Sequence, residues 1–188
     1  MGKVVLDVSV SLDGFSAGPN VRADEPMGDG GEALHAWMGW DGPGGEVDAA
    51  VRREVDAGVG AAVIGRRTFD LGLEPWGGTP WAGVPAFVVT HRRRDDLAGG
   101  NGGVFAFDGL EGAVRRAREA AGAKDTVVMG ADVAGQALRA GLLDELYVHL
   151  VPLLLGAGTP FLGGERAGLV PVGGPLAGSV THLRYRVA

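Results

Sequence analysis

The sequence predicts an α/β fold of three αβα layers, a mostly parallel central sheet closed at its C-terminal edge by antiparallel strands. Three observations carry this expectation. Short β-branched runs alternate with amphipathic stretches through most of the chain. The amphipathic stretches end in glycine. The tail after Glu145 holds strand-like runs with no helical pattern between them. Strand and helix in alternation imply right-handed βαβ units, whose parallel sheets are covered on both faces.

The elements follow in order. Val4–Val10, Ala61–Gly65, Ala86–Thr90, Val104–Phe107, Thr126–Met129 and Leu146–Leu150 read as buried strands. Val47, Ala50, Val51 and Val55 form an apolar stripe for a helix that closes at Gly58. Asp108 and Glu111 have the spacing of a capping box, opening a helix with Val114, Ala117 and Ala121 inward and Gly122 at its end. A short third helix spans about Val133–Ala140, followed by Gly141. Leu146–Leu155 and Ser179–Val187, joined through the Gly/Pro-rich Gly156–Gly174, predict the antiparallel closing pair. The apolar Leu146–Leu155 also reads as an edge able to extend into a partner.

Composition limits the function classes. Among 188 residues there are 35 glycines and 10 prolines, yet 46% are apolar, enough for one globular domain over residues 1–188. Lys3 and Lys124 are the only lysines. A mix rich in Arg, Ala, Val and Gly reflects GC-rich coding, so glycines are informative only by position. The net charge of −6 argues against nucleic acid as a partner. The one basic run, His91–Arg94, is followed at once by Asp95 and Asp96. Without cysteine, disulfides, Cys-ligated zinc and a cysteine nucleophile are excluded. No signal-like N-terminus and no membrane-length apolar run are present, so a cytoplasmic protein without a membrane partner is expected.

Generic motifs fail on context. Gly130–Gly135 has P-loop glycine spacing, but Gln136 and Ala137 stand where Lys and Ser/Thr are required. Gly156 and Gly158 lack the third glycine of a dinucleotide fingerprint. Gly14-Phe15-Ser16-Ala17-Gly18 spells the G-x-S-x-G of a nucleophile elbow, the basis for a serine-hydrolase alternative, although Pro19 follows where a helix is needed. The histidines are isolated, without metal-ligand spacing. His149, in an apolar strand, reads as a satisfied core residue, and His35, beside Trp37 and Trp40, as pocket lining.

Strand ends carry more. Gly65-Arg66-Arg67-Thr68, Thr90-His91-Arg92 and Gly130-Ala131-Asp132-Val133 each follow a β-branched run. Guanidinium forks and backbone amides at helix starts suit phosphate oxygens, and ligands of open parallel sheets collect at the carboxyl ends of strands. Together the three point to a phosphorylated ligand.

Over essentially its whole length the chain resembles the dihydrofolate reductase-like superfamily, in the bacterial branch similar to the reductase domain of riboflavin biosynthesis enzymes. The resemblance rests on Ser11-Leu12-Asp13-Gly14-Phe15, Leu34-His35-Ala36-Trp37, Gly65-Arg66-Arg67-Thr68-Phe69, Val127-Val128-Met129-Gly130, Ala140–Leu146 and Pro152–Gly158. It implies NADPH as cofactor. Gly65, Arg66, Arg67 and Thr68 would meet the adenosine 2′-phosphate and pyrophosphate, with Thr90, His91 and Arg92 as a second adenosine-phosphate contact. Gly130, Ala131, Asp132 and Val133 match the family's glycine pair near pyrophosphate and nicotinamide, with Ala131 replacing the second glycine. Val8 and Ser9 would border the nicotinamide from the first strand, with Ala17 and Gly18 facing it from the loop.

On the substrate side, Glu32 stands nearest the helix carboxylate of dihydrofolate reductases, and Asp13 is the other catalytic candidate or a brace for its turn. The Glu that riboflavin-pathway reductases carry before the glycine turn is replaced by the sequence Val128-Met129. The function implied is reduction of a small-molecule substrate, an aminopyrimidine or pterin-like heterocycle. A non-catalytic NADP(H)-binding module of the same fold is the alternative. Relatives of this kind are often homodimers, and the same state is expected here.

Overall fold

The computed structural model describes residues 2–39, 45–92 and 94–188, so Trp40 and Arg93 of the sequence reading lie outside the described residues. In chain order the elements are β1 (Val4–Ser11), β2 (Phe15–Ala17), a 3₁₀ helix (Gly31–Met38), α1 (Glu46–Gly58), β3 (Val59–Gly65), α2 (Arg66–Gly72) and β4 (Ala86–Val89). They continue with β5 (Leu97–Ala98), β6 (Val104–Asp108), α3 (Leu110–Ala121), β7 (Asp125–Met129), α4 (Ala131–Arg139) and β8 (Glu145–Val151). Then come β9 (Thr159–Pro160), a 3₁₀ turn (Phe161–Gly164), β10 (Leu169–Pro171), β11 (Leu176–Ala177) and β12 (Thr181–Val187). Backbone contacts divide the chain into two compact units, Met1–Leu6 with Gly58–Asp144, and Asp7–Ala57 with Glu145–Ala188. β1 contributes its first residues to one unit and the rest to the other.

The first unit is the parallel part of the predicted α/β fold, with strand order β1-β7-β3-β4-β6 and the short β5 antiparallel at the edge. Ile64, Ala62, Val88 and Ala86 are buried because helices cover the sheet. Phe69 of α2 meets the rings of Phe105 and Phe107 edge-on, with centroids 4.9 and 5.4 Å away. α3 buries Ala113, Val114, Ala117 and Ala121, the inward stripe its sequence predicts.

The second unit holds the antiparallel closing pair. β8 and β12 run side by side from Glu145↔Arg186 to Leu150↔Thr181, and β10 and β11 both pair with β12. Leu34 and Trp37 of the 3₁₀ helix form a core with Val151 and Val180.

Four expectations need correction. β8 lies between β1 and β12, so Leu146–Leu155 is an interior strand and its exit, with no free edge to offer a partner. The capping box is not made: Gly109 caps α3 without a side-chain bond, and Asp108 ends β6, accepting the Gly109 N–H at 2.8 Å and pairing with Arg116 at 3.8 Å. In α1, Val47 and Ala50 are exposed while Asp48 and Val51 are buried, because Asp48 finds inward polar partners. The third helix starts at Ala131, two residues before the predicted Val133.

Candidate functional site

The three strand-end motifs come together on the first unit. Ile64 is the register partner of Met129, and Gly65 that of Val89. Gly65, Thr90 and Gly130 therefore stand at the carboxyl ends of the adjacent parallel strands β7, β3 and β4. The sequence makes this happen by ending each β-branched run at a residue that can turn sharply.

Gly130 has φ 99° and ψ 128°, a conformation closed to L side chains, and a Cβ there would lie 2.7 Å from Thr68 Oγ1. A Cβ at Gly65 would lie 3.2 Å from Val133 Cγ2. The two turns thus pack directly on each other; Gly130 needs glycine, whereas a Cβ at Gly65 would make Val133 give by a few tenths of an ångström.

α2 and α4 both begin at this edge, and neither N-terminus has a side-chain cap. The first-turn N–H groups of a helix have no intrahelical acceptor and carry the positive end of its dipole, so these two starts are ready acceptor sites for an anion. Arg67, His91 and Arg92 are exposed around them. Arg66 turns along its own helix, its Nε 2.9 Å from both oxygens of Asp70. Thr90 accepts the Arg92 N–H at 3.1 Å and so shapes the turn after β4. Asp132, in the first turn of α4, accepts from Gln136 at 2.8 Å. Uncapped helix starts, exposed cations and glycine-tight turns fit the phosphates of a dinucleotide.

The other predicted residues belong to the second unit. Ser9 is buried in β1 and accepts the Trp37 indole N–H at 2.9 Å, while Val8 next to it is half-buried. Ala17 ends β2 opposite Thr159. Gly18 packs against the Asp29 backbone with no room for a Cβ, which explains its glycine without a ligand.

Asp13 is a brace. Its carboxylate accepts Ser11 Oγ at 2.6 Å and the N–H groups of Leu155 and Gly156 at 3.1 and 2.7 Å. The Ser11 hydroxyl, with Gly156 and Leu155, holds this carboxyl below the usual range. Glu32 is exposed on the first turn of the 3₁₀ helix. Ser16 sits in β2, paired antiparallel with β9, and its hydroxyl donates to Thr159 O at 3.4 Å. The elbow geometry of a serine nucleophile is therefore absent at Ser16, which corrects the serine-hydrolase alternative.

Sequence reasoning missed a polar chain in the second unit. His149 does have satisfied ring nitrogens, but its partners are ionisable: His182 at 2.7 Å and Asp7 at 3.3 Å, with Asp48 2.9 Å beyond His182. The only local signal is a carboxylate, Asp7, inside a β-branched run. His35, half-buried, feels Asp7 and His149, and burial pushes its imidazole down to about 4. Among the described residues no group of three or more His, Asp or Glu could hold a metal ion, and no helix is long and apolar enough to cross a membrane.

Comparison with known proteins places this geometry. No curated protein matches. Among solved structures, a Shewanella sp. PV-4 protein assigned to riboflavin biosynthesis is 19% identical, with a TM-score of 0.73 and 99% of each chain covered. A pyrimidine reductase-like protein of Corynebacterium diphtheriae is 15% identical at TM-score 0.61, covering 100% of this chain and 92% of its own. A diaminohydroxyphosphoribosylaminopyrimidine deaminase/5-amino-6-(5-phosphoribosylamino)uracil reductase of Thermotoga maritima is 13% identical at TM-score 0.65, and this chain spans 57% of it. These likenesses show a dihydrofolate reductase-like fold. The sequence model of the RibD C-terminal domain matches residues 2–170. The chain therefore belongs to the RibD C-terminal domain family, the reductase domain of riboflavin biosynthesis enzymes.

Proposed function

We propose that this chain is an NADPH-dependent reductase that passes hydride to a small heterocycle, an aminopyrimidine or pterin-like ring. One observation carries the cofactor: two uncapped helix starts at adjacent parallel strand ends, with Arg67, His91 and Arg92 exposed around them. Phosphate oxygens would take the N–H groups at Gly65–Thr68 and Gly130–Val133, and the guanidinium groups would favour the extra 2′-phosphate over a free ribose hydroxyl. When bound, a reduced nicotinamide supplies hydride. The family, and the aminouracil reductase activity that the Thermotoga relative carries in its name, support an aminopyrimidine as substrate.

Tryptophan fluorescence tests this reading, with Trp37, Trp76 and Trp81 as reporters. NADPH should give a saturable change, with NADH at least about tenfold weaker, and Arg67→Ala or Arg92→Ala should weaken NADPH by about tenfold each, as expected for a lost charge-assisted bond. Equal affinity for NADH would remove the 2′-phosphate assignment.

A non-catalytic NADP(H)-binding module is the second reading, favoured by the bracing role of Asp13 and the exposure of Glu32. Turnover of 5-amino-6-(5-phosphoribosylamino)uracil with NADPH excludes it. We also propose a homodimer in a soluble, cytoplasmic setting. Sedimentation velocity at micromolar concentration should give twice the 19.2 kDa chain mass, and a monomer refutes the dimer.

A further inference from the structure

Four ionisable side chains of the second unit form one hydrogen-bonded chain. Asp48 Oδ1 lies 2.9 Å from His182 Nε2, His182 Nδ1 lies 2.7 Å from His149 Nδ1, and His149 Nε2 lies 3.3 Å from Asp7 Oδ2. The side chains of Asp48, His182 and His149 are 0, 4 and 2% exposed, whereas Asp7 is 15% exposed. Asp7 is therefore the end of the chain that solvent reaches. The Trp37 ring packs on both imidazoles, with centroids 4.4 and 5.1 Å away, and keeps water from their faces.

The direction of each hydrogen bond follows from the buried end. Asp48 accepts the Ser179 N–H with both oxygens, at 2.9 and 3.2 Å. Burial opposes its charge, but the bonds from Ser179 and His182 prevail and hold its carboxyl below the usual range. Asp48 is a carboxylate, so His182 Nε2–H donates to it. His182 Nδ1 is then a lone pair, and His149 Nδ1–H donates to that. His149 Nε2 is left facing Asp7 in one of two ways. Either it is a lone pair accepting from a protonated Asp7, or it is an N–H donating to an Asp7 carboxylate. The two arrangements differ only in the position of one proton, which belongs to the pair.

Other charges act on this pair. His35 comes from the 3₁₀ helix, and its imidazole responds to both Asp7 and His149. Arg52 of α1 acts on His35 in turn. Asp48 is on α1 and His182 on β12.

Resting on the reductase reading, we propose that Asp7 is the proton donor of the reaction and that His149, oriented by His182 and Asp48, shares and holds that proton. The Asp7 O–H bond breaks and an N–H bond forms at the nitrogen of a C=N bond in the substrate, such as the imine of an opened ribosylamine, whose carbon receives hydride from a reduced nicotinamide. The C=N bond becomes CH–NH, the hydride brings the two electrons, and Asp7 is left as carboxylate. Solvent restores the proton at the exposed edge of Asp7. His149, His182 and Asp48 are positioning residues: they keep His149 Nε2 turned to Asp7.

The first test needs neither substrate nor cofactor. Long-range ¹⁵N–¹H spectra of the imidazoles, recorded on the full chain from pH 4.5 to 9, should show neutral His182 as the Nε2–H tautomer and neutral His149 as Nδ1–H. Asp7→Asn should leave the Nδ1–H tautomer of His149 in place, because the His182 lone pair still fixes it. His149 in the Nε2–H tautomer overturns the proposal. Where Asp7→Asn does not fold, Asp48→Asn serves, and should lower the His182 midpoint, which Asp48 raises. The second test uses NADPH and 5-amino-6-(5-phosphoribosylamino)uracil. Asp7→Asn should reduce kcat by about 10²-fold or more and leave KM for NADPH within threefold, with partial rescue in Asp7→Glu. A kcat within about threefold of the parent protein overturns the donor role. NADPH binding is read separately by fluorescence: its failure beside the Nδ1–H tautomer of His149 refutes the reductase reading while supporting the hydrogen-bonded chain.

Discussion

At Gly130 a single backbone conformation ties the cofactor edge to stability. A residue at φ 99° costs about 1–3 kcal/mol when it carries a Cβ, and here that Cβ also meets Thr68 Oγ1 at 2.7 Å. Gly130→Ala is expected to lose about 2 kcal/mol in urea unfolding and to weaken NADPH in parallel. Adding Thr68→Ala should recover only the contact part of that loss, since the dihedral cost remains. Full recovery in the double variant would show that the dihedral cost is negligible. Gly65 is less demanding, with φ −68°, and its glycine serves the close approach of Val133. Both positions were legible in the sequence, because a β-branched run that stops at glycine before a polar stretch marks a strand's carboxyl end. Asp48, His149, His182 and Asp7 were not. They lie 134, 33 and 142 residues apart along the chain of contacts, and only the β8–β12 register, His149↔His182, brings the imidazoles together. Register is set by pairing in three dimensions and leaves no trace in local spacing.

At the scale of elements, what the sequence reveals depends on length and on what the inward face contains. β1, β3, β4, β6, β7 and β8 are runs of β-branched and aromatic residues long enough to show, and α3 repeats alanine and valine over three turns. α2 escapes notice because it spans only seven residues and turns a single large apolar side chain, Phe69, to the core. β2 and β9 are three and two residues long, too short for any alternation to register. α1 was found with Val51 inward as expected, but Val47 and Ala50 of the expected stripe face outward. Its inward face includes Asp48, and a hydrophobic count assigns any carboxylate to the outside. Such a count fails where a charge is buried with partners, here Ser179 and His182. Asp108 misled in the opposite way, offering the composition of a cap at a position where β6 still holds the backbone.

For the whole molecule, the buried imidazoles set how stability responds to acid. Burial lowers His35 to about 4 from 6.5, opposed by Asp7 and reinforced by His149 and Arg52. Burial lowers His182 as well, against the pull of Asp48. Above pH 6.5 these rings are neutral in both folded and unfolded chains, and their titration contributes nothing. As pH falls below 6.5 the unfolded chain takes up protons that the folded chain refuses, so the unfolded state gains and stability falls. For His35 the gap is 2.5 pH units, which amounts to about 3 kcal/mol once pH has fallen through 4. The lowered carboxyls act in another window. Asp13, Asp29 and Asp48 bind protons less readily when folded, so their contribution is present above about 3.8 and disappears only at more acid pH. Loss between pH 6.5 and about 4.5 thus belongs to imidazole, since Glu54, held low by Arg184, begins to lose its contribution only below 4.5. Urea unfolding at pH 7 and pH 4.5 should show the parent protein losing about 2–3 kcal/mol, and His35→Gln should lose only a small part of that, the part due to His182. An equal loss in His35→Gln would move the acid response off this ring and onto His182.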